Sequence, residues 1–245
     1  MKDVIAIIPA RSGSKGVPQK NILALANHPL ISYSIIAAKN CKNISRVIVS
    51  TDSLEIAEIA KKYGAEVPFL RPAEFSTDTS TDKEFLLHAI KYLQDNDKFL
   101  PEYLVHLRPT SPLRDPTIID SAILKFKNNS KATSLRSSHL AIKNPYKFFE
   151  IGDNGFYRGI RPFDDRVEYY NLPRQNFPAV YDPNGYIDIL RVSHILKLES
   201  VHGPFILPFI TNFCHDIDSL EDFEFLTYWI ERHGSILLPL MAEER

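Results

Sequence analysis

The 245-residue chain has little cysteine: Cys41 and Cys214 lie far apart and without metal-ligand spacing. That excludes a disulfide scaffold and a thiolate-bound metal, and implies a reducing compartment. A surplus of either charge is also missing, since 29 Lys plus Arg stand against 30 Asp plus Glu, a formal net charge of −1. So balanced a chain has no bulk attraction for nucleic acid or an anionic membrane. Neither is expected as a partner, and any polyanion must be met by a local cluster. Nowhere do 18 apolar residues run uninterrupted, which excludes a helical membrane span. The N-terminal apolar run of residues 4–9 stops short of Arg11 and lacks a small-residue cleavage site, so no signal peptide is expected. Internal repeats and low-complexity segments are absent too. The expectation is a soluble, cytoplasmic protein.

What remains is ordinary globular composition, 44% hydrophobic and 24% charged. At this length an α/β chain forms one domain, here residues 1–245. Short β-branched runs at 4–8 and 46–50 read as buried strands, and 67–70, 103–107, 186–190 and 205–210 as further strands. Amphipathic stretches at 30–40, 82–93, 116–126 and 220–233 read as helices. Another helix starts at Ser53, sets Ile56, Ile59 and Ala60 on one face, and has Gly64 just past its end. Strand and helix in alternation predict a three-layer α/β fold, a mostly parallel sheet with helices on both faces.

The alternation breaks between about 139 and 183. That stretch carries Tyr146, Phe148, Phe149, Phe156, Tyr157, Phe163, Tyr169, Tyr170, Phe177 and Tyr181 among charged and turn residues. A structureless loop of that length is improbable inside a compact domain, so an excursion with its own strands or a partner is expected.

Three segments carry chemistry. After the first strand comes Ala10-Arg11-Ser12-Gly13-Ser14-Lys15-Gly16-Val17-Pro18-Gln19-Lys20-Asn21. Glycines let backbone N–H groups turn inward, serines add hydroxyl donors, and Arg11, Lys15 and Lys20 add charge, so the loop suits a polyphosphate. It lacks the third glycine of the dinucleotide fingerprint and the Gly-Lys-Ser/Thr of the ATPase loop. In His215-Asp216-Ile217-Asp218, carboxylates at i and i+2 of an extended chain point the same way and can share one hard cation. Capping of the next helix by Asp218 or Ser219 is the structural alternative. Arg108 and Arg114 flank a proline-stiffened turn, where a guanidinium suits bidentate carboxylate recognition. A surface salt bridge is the alternative, favoured for Arg114. His88 reads as helix packing, and Cys41 has no base beside it to make it a nucleophile.

The loop closely resembles the N-terminal signature of the acylneuraminate cytidylyltransferases, the CMP-sugar-acid synthetases, and the resemblance extends over almost the whole chain. Ser50-Thr51-Asp52-Ser53, Leu70-Arg71-Pro72, Thr77-Asp78-Thr79-Ser80, Pro109-Thr110-Ser111-Pro112-Leu113-Arg114, Asn144-Pro145-Tyr146-Lys147, Pro173-Arg174-Gln175 and Pro183-Asn184-Gly185 match later landmarks.

The resemblance implies a Rossmann-like cytidylyltransferase in which a sugar acid's anomeric hydroxyl attacks the α-phosphate of CTP. It implies nucleotide contacts from Ala10 through Gly16, Lys20, Asn21, Arg71 and Ser80. Catalytic roles fall to Arg11, Lys15, Lys20 and Asp216, and Mg²⁺ (or Mn²⁺) falls to Asp216 and Asp218. Either Asp216 or a water on the metal takes the proton. Arg108, Lys147, Arg174 and Asn184 would face the sugar acid, and the stretch at 139–183 would be an arm that forms a homodimer or a dimer of dimers. The sialic-acid-using members usually have glutamine where Arg108 stands and often arginine where Asp182 stands, and Tyr186-Ile187-Asp188 also departs from their pattern. A modified or shorter-tailed acceptor is therefore expected, with Arg108 either binding the sugar's carboxylate or pairing with Asp182 or Asp188. The rivals are an eight-carbon ulosonate as acceptor, a catalytically silent nucleotide binder, and a dinucleotide-dependent oxidoreductase.

Overall fold

Strand β1 (Val4–Pro9) is followed by a small hairpin of β2 (Ala24–Leu25) and β3 (His28–Pro29), then α1 (Leu30–Lys39), β4 (Arg46–Ser50) and α2 (Leu54–Lys62). Next come α3 (Asp82–Asp95), β5 (Tyr103–His106), α4 (Pro116–Lys127) and β6 (Ser134–Leu140). A second hairpin, β7 (Phe149–Ile151) and β8 (Tyr157–Gly159), precedes β9 (Tyr181–Arg191), α5 (Val192–Ile195), β10 (Ile206–Ile210), α6 (Leu220–His233) and α7 (Leu237–Ala242). This computed structural model describes residues 4–13, 16–160, 164–198 and 200–242. Ser14, Lys15 and Phe163 lie outside the described residues.

Six strands form one sheet in the order β10-β6-β9-β5-β1-β4. Pairing is parallel except at β9, which runs antiparallel to β5 and to β6. Successive residues of β1 point to opposite faces, and both faces are covered. Val4, Ala6 and Ile8 enter a core shared with α1, α4, α6 and α7, while Ile5 and Ile7 enter a second core with α3 and α5. Burial on both sides is why these strands read as unbroken apolar runs. Local signals start the helices: Ser53 Oγ accepts from the Ile56 N–H (3.3 Å), and Asp115 caps α4 with Pro116 behind it.

Two expectations need correction. Residues 67–70 form no strand; isolated bridges join Ile48 to Glu66 and Thr51 to Leu70, because Pro68 offers no N–H to a ladder. Arg114 forms no surface ion pair. It is fully buried and donates to the carbonyls of Tyr186 (2.5 Å), Arg108 (2.7 Å) and Gly185 (2.9 Å) and to Ser34 Oγ (2.9 Å). Burial pushes its pKa down to about 10.

The excursion has its own strands, the β7–β8 hairpin, and its ends belong to the sheet. His139 pairs with Asp182, Leu140 pairs with Tyr181, and the Ala141 N–H donates to the Val180 carbonyl at 2.9 Å, so the arm proper spans 141–180. Phe148, Phe149, Ile151, Phe156 and Tyr157 stand exposed on it. No helix of the described residues is long and apolar enough to cross a membrane.

Candidate active site

The chain leaves β1 toward β4 on one side and later places β5 on the other. Loops leaving the carboxyl ends of β1 and β5 therefore part, and a crevice opens between them. A cavity of about 450 Å³ lies there, lined by Arg11, Gly16, Lys20, Asn21, Arg71, Ser80, Asp82, Arg108 and Asp218 among others.

The β1 loop is fastened from behind. Buried Ala10 donates its N–H to the Ser50 carbonyl (2.9 Å), Ser12 donates from its N–H (2.8 Å) and Oγ (2.9 Å) to Asp52, and Asn21 Nδ2 donates to the Arg11 carbonyl (2.9 Å). A Cβ on Gly13 would meet open space, but one on Gly16 would fall 2.5 Å from the Asp218 carbonyl oxygen. Only a residue without a side chain lets the loop come that close. Lys20 Nζ donates to the Ile217 carbonyl (2.7 Å) and lies 3.5 Å from Asp218 Oδ1. The Ile217 N–H donates to the Thr110 carbonyl (2.9 Å), and its side chain is buried. Segments some 200 residues apart, such as Lys20 and Ile217 (separation 197), thus meet in one place.

Asp216 and Asp218 flank buried Ile217, as alternation in an extended chain requires. Asp218 lines the cavity; Asp216 lies outside its lining and accepts from Ser111 Oγ at 3.1 Å. Among the described residues no three His, Cys, Asp or Glu side chains converge as a closed metal cage. The donor set fits an open site, one or two carboxylates completed by phosphate oxygens and water, as Mg²⁺ accepts.

Arg71 is buried on the cavity wall. Its guanidinium donates to Ser50 Oγ (3.0 Å) and the Ser50 carbonyl and sits 4.9 Å from the Phe85 ring centroid; burial lowers its pKa to about 10. Ser80 Oγ donates to the Glu74 carbonyl (3.1 Å) and accepts from the Thr77 N–H (3.0 Å), closing the turn that carries it. Arg108 donates to Asp188 Oδ2 (2.7 Å) and Asp82 Oδ2 (2.6 Å). Burial opposes its charge, but the two carboxylates outweigh burial and raise its pKa. Asp188 is the partner; Asp182 pairs with His139 in the sheet instead.

The remaining sugar-side expectations do not converge on this cleft within one chain. Lys147 and Arg174 line a separate cavity of about 670 Å³ on the arm, and Lys147 Nζ donates to the Leu172 carbonyl (2.7 Å). Asn184 is buried, its amide donating to Thr211 Oγ1 (2.6 Å) and accepting from the Tyr186 N–H (3.3 Å), so it shapes β9 rather than facing a ligand. His88 packs edge-on against Phe69, with ring centroids 4.7 Å apart, and Cys41 is a buried free thiol whose pKa burial pushes up.

Of the carboxylates around the site, Asp82 was the one the sequence did not flag; Asp52 and Asp78 stood inside landmark runs without an assigned role, and Asp188 was one of two expected partners of Arg108. Asp78 meets Arg11 (3.1 Å), Asp82 and Asp188 hold Arg108, and Asp52 fastens the loop. Three cations of the cleft are thereby met by carboxylates of the same cleft: Arg11 by Asp78, Lys20 by Asp218, and Arg108 by Asp82.

Comparison with known proteins agrees with this geometry. The N-acylneuraminate cytidylyltransferase of Escherichia coli O18:K1:H7 is 37% identical over 229 residues, which cover 90% of this chain and 50% of that protein; the chain thus spans about half that relative's length. The CMP-N,N'-diacetyllegionaminic acid synthase of Legionella pneumophila is 34% identical over 209 residues, covering 85% of this chain and 87% of that one. A solved CMP:2-keto-3-deoxy-manno-octonic acid synthetase complexed with CTP shares the fold, with a TM-score of 0.69 at 14% identity over 94% of this chain and 98% of that one. Residues 5–200, from the first strand through the loop, the crevice and β9, match the cytidylyltransferase family. With that match added to a phosphate-type loop facing an aspartate at the switch point of an α/β sheet, the chain belongs to the cytidylyltransferases and is a nucleotidyltransferase.

Proposed function

We propose that the protein transfers CMP from CTP to the anomeric hydroxyl of an acidic 2-keto sugar, a nonulosonate such as N-acetylneuraminate or a modified relative, and releases pyrophosphate. The observation that carries this reading is a single cleft lined by Arg11, Lys20 and Asp218, with Lys20 3.5 Å from Asp218 where the loop makes its close approach at Gly16. The names of the E. coli and Legionella relatives support a nonulosonate acceptor.

In this step the anomeric oxygen bonds to the α-phosphorus while the bond from that phosphorus to the pyrophosphate oxygen breaks. The hydroxyl proton passes to Asp216 or to water. Such a reaction depends on positioning and charge neutralisation more than on covalent work by the protein. Arg11, Lys15 and Lys20 hold the triphosphate and offset the charge that builds on pyrophosphate. Asn21, Arg71 and Ser80 meet the nucleoside, and Arg108 meets the acceptor. Asp218, with Asp216, would hold Mg²⁺ or Mn²⁺, which supplies charge neutralisation and orientation for the triphosphate.

The arm completes the reading. Lys147 and Arg174 reach an acceptor only from a second copy, so the working unit is a homodimer whose exposed arm aromatics cover one another. Both cysteines are free, in keeping with a cytoplasmic setting.

Incubation with CTP, Mg²⁺ and a panel of N-acetylneuraminate, a deoxy-diamino nonulosonate and a 3-deoxy-octulosonate tests the reading through pyrophosphate release. Release with a nonulosonate is expected. Release with the octulosonate alone would change the acceptor, and no release with any would return the chain to a silent nucleotide binder.

A further inference from the structure

Arg108 sits between two carboxylates that differ sharply in exposure. The Asp188 side chain is 2% exposed and the Asp82 side chain 44%, with Arg108 itself at 26%. Asp188 is a sheet residue, paired across β9 with His106 on β5 and with Arg136 on β6. Arg136 Nε lies 3.6 Å from its second oxygen. His106 is fully buried with Nε2 unpartnered, and burial together with the charge of Arg108 pushes its pKa down to about 4. It therefore stays neutral and does not compete for Asp188, whose charge is answered by Arg108 and Arg136. Removing Arg108 from Asp188 would strand a buried carboxylate, an expensive event. Asp82 is different. It is the first residue of α3, lines the cleft, and has a half-exposed side chain, so water can replace Arg108 there at far less cost than at buried Asp188.

We propose that Asp82 is a resident carboxylate that occupies Arg108 in the empty cleft and gives way to the acceptor's own carboxylate, while Asp188 keeps the guanidinium in place. This rests on the sugar-acid reading above. The two contacts use different guanidinium nitrogens, Nη1 for Asp188 and Nη2 for Asp82. Exchange at Nη2 thus leaves the buried pair intact, and the incoming carboxylate meets a planar donor face already oriented. An acceptor without a carboxylate has nothing to displace Asp82 with. The device favours acids over neutral sugars and lowers the apparent affinity for any acid, because each must compete with an internal rival. Asp82 and Asp188 are in this sense positioning residues that act through Arg108.

Asp82→Asn removes the rival charge and keeps the side chain's size. The acceptor KM is expected to fall about three- to tenfold with kcat and the CTP KM little changed, and Asp82→Glu, which restores a carboxylate, should return the KM toward wild type. In an Arg108→Gln background the gain should vanish. An acceptor KM that rises or holds steady in Asp82→Asn, or a gain that persists without Arg108, overturns the exchange. Titration calorimetry of N-acetylneuraminate in the presence of CTP and a chelator separates this from the function itself. Binding that Asp82→Asn tightens, in a protein that turns over no sugar acid, would sink the function and keep the exchange. Turnover with binding that Asp82→Asn weakens would do the reverse.

Discussion

Lys20 does two things with one ammonium: it donates to the Ile217 carbonyl at 2.7 Å and stands 3.5 Å from Asp218. Lys20→Ala should lower kcat by roughly a hundred- to a thousandfold, the scale of one preorganised charge-stabilising group; a turnover near wild type would mean that the loop is only a basic turn. Asp218→Asn should abolish the response to Mg²⁺, because an amide is a poor ligand for a hard cation. Its unfolding midpoint in urea should stay at the wild-type value, since Asp218 is exposed, and an unchanged metal titration would remove Asp218 from the metal site. Arg114→Met should behave oppositely. It leaves three carbonyls and a hydroxyl without their buried donor, at about 1–3 kcal/mol for each group that stays unsatisfied, a loss measurable in urea. The closeness of the basic loop to the segment before α6 is what the structure adds at this scale; Asp-x-Asp spacing alone left a cation site and helix capping both open, and Ser219 does cap α6. Of the partners of Arg108, Asp188 was one of the two expected, while Asp82, 26 positions away on the first turn of α3, was missed because only the fold brings it there. Arg114 misled because an arginine beside a turn reads as exposed until the carbonyls around it are known.

Among the elements, those that the periodicity shows are the ones buried on two faces or on one stripe. β1 and β4 are apolar runs, and α6 covers the expected 220–233. β6 escaped notice because Ser-Leu-Arg-Ser-Ser-His-Leu has no β-branched residue, and its place is set by pairing with β9 and β10 on either side. α7 escaped because Pro239 interrupts a run of six residues whose burial comes from packing at Leu237 and Met241. The 67–70 run made the opposite error, β-like side chains around a proline that cannot join a ladder. The loop's seat on the segment before α6 gives an element-scale test. Gly16→Ala puts a Cβ 2.5 Å from the Asp218 carbonyl, and the loop must shift away. The CTP KM should rise about tenfold, equivalent to ~1.4 kcal/mol of overpacking, with the acceptor KM nearly unchanged. A CTP KM at the wild-type value would show that the loop does not need this approach.

For the whole molecule, the mostly parallel sheet with helices on both faces followed from the alternation of short apolar runs and amphipathic stretches. The reversed direction of β9 did not, because strand direction depends on how the arm returns to the sheet. The arm carries Phe156 at 73% and Tyr157 at 76% exposure, the apolar surface that the proposed homodimer would cover. Light scattering should give twice the 28.0 kDa chain mass, and Phe156→Ser with Tyr157→Ser should lower both the mass and the turnover. A fully active protein at the mass of one chain would refute arm exchange. The central claim, acceptor-dependent transfer of CMP, is tested most directly by ³¹P NMR of CTP with Mg²⁺ and the protein, with and without a nonulosonate. Loss of the three CTP resonances in step with the growth of pyrophosphate and one phosphodiester signal, only when the sugar acid is present, is the predicted result. CTP that is unchanged with every acid, or that yields inorganic phosphate and CDP regardless of acceptor, would contradict it.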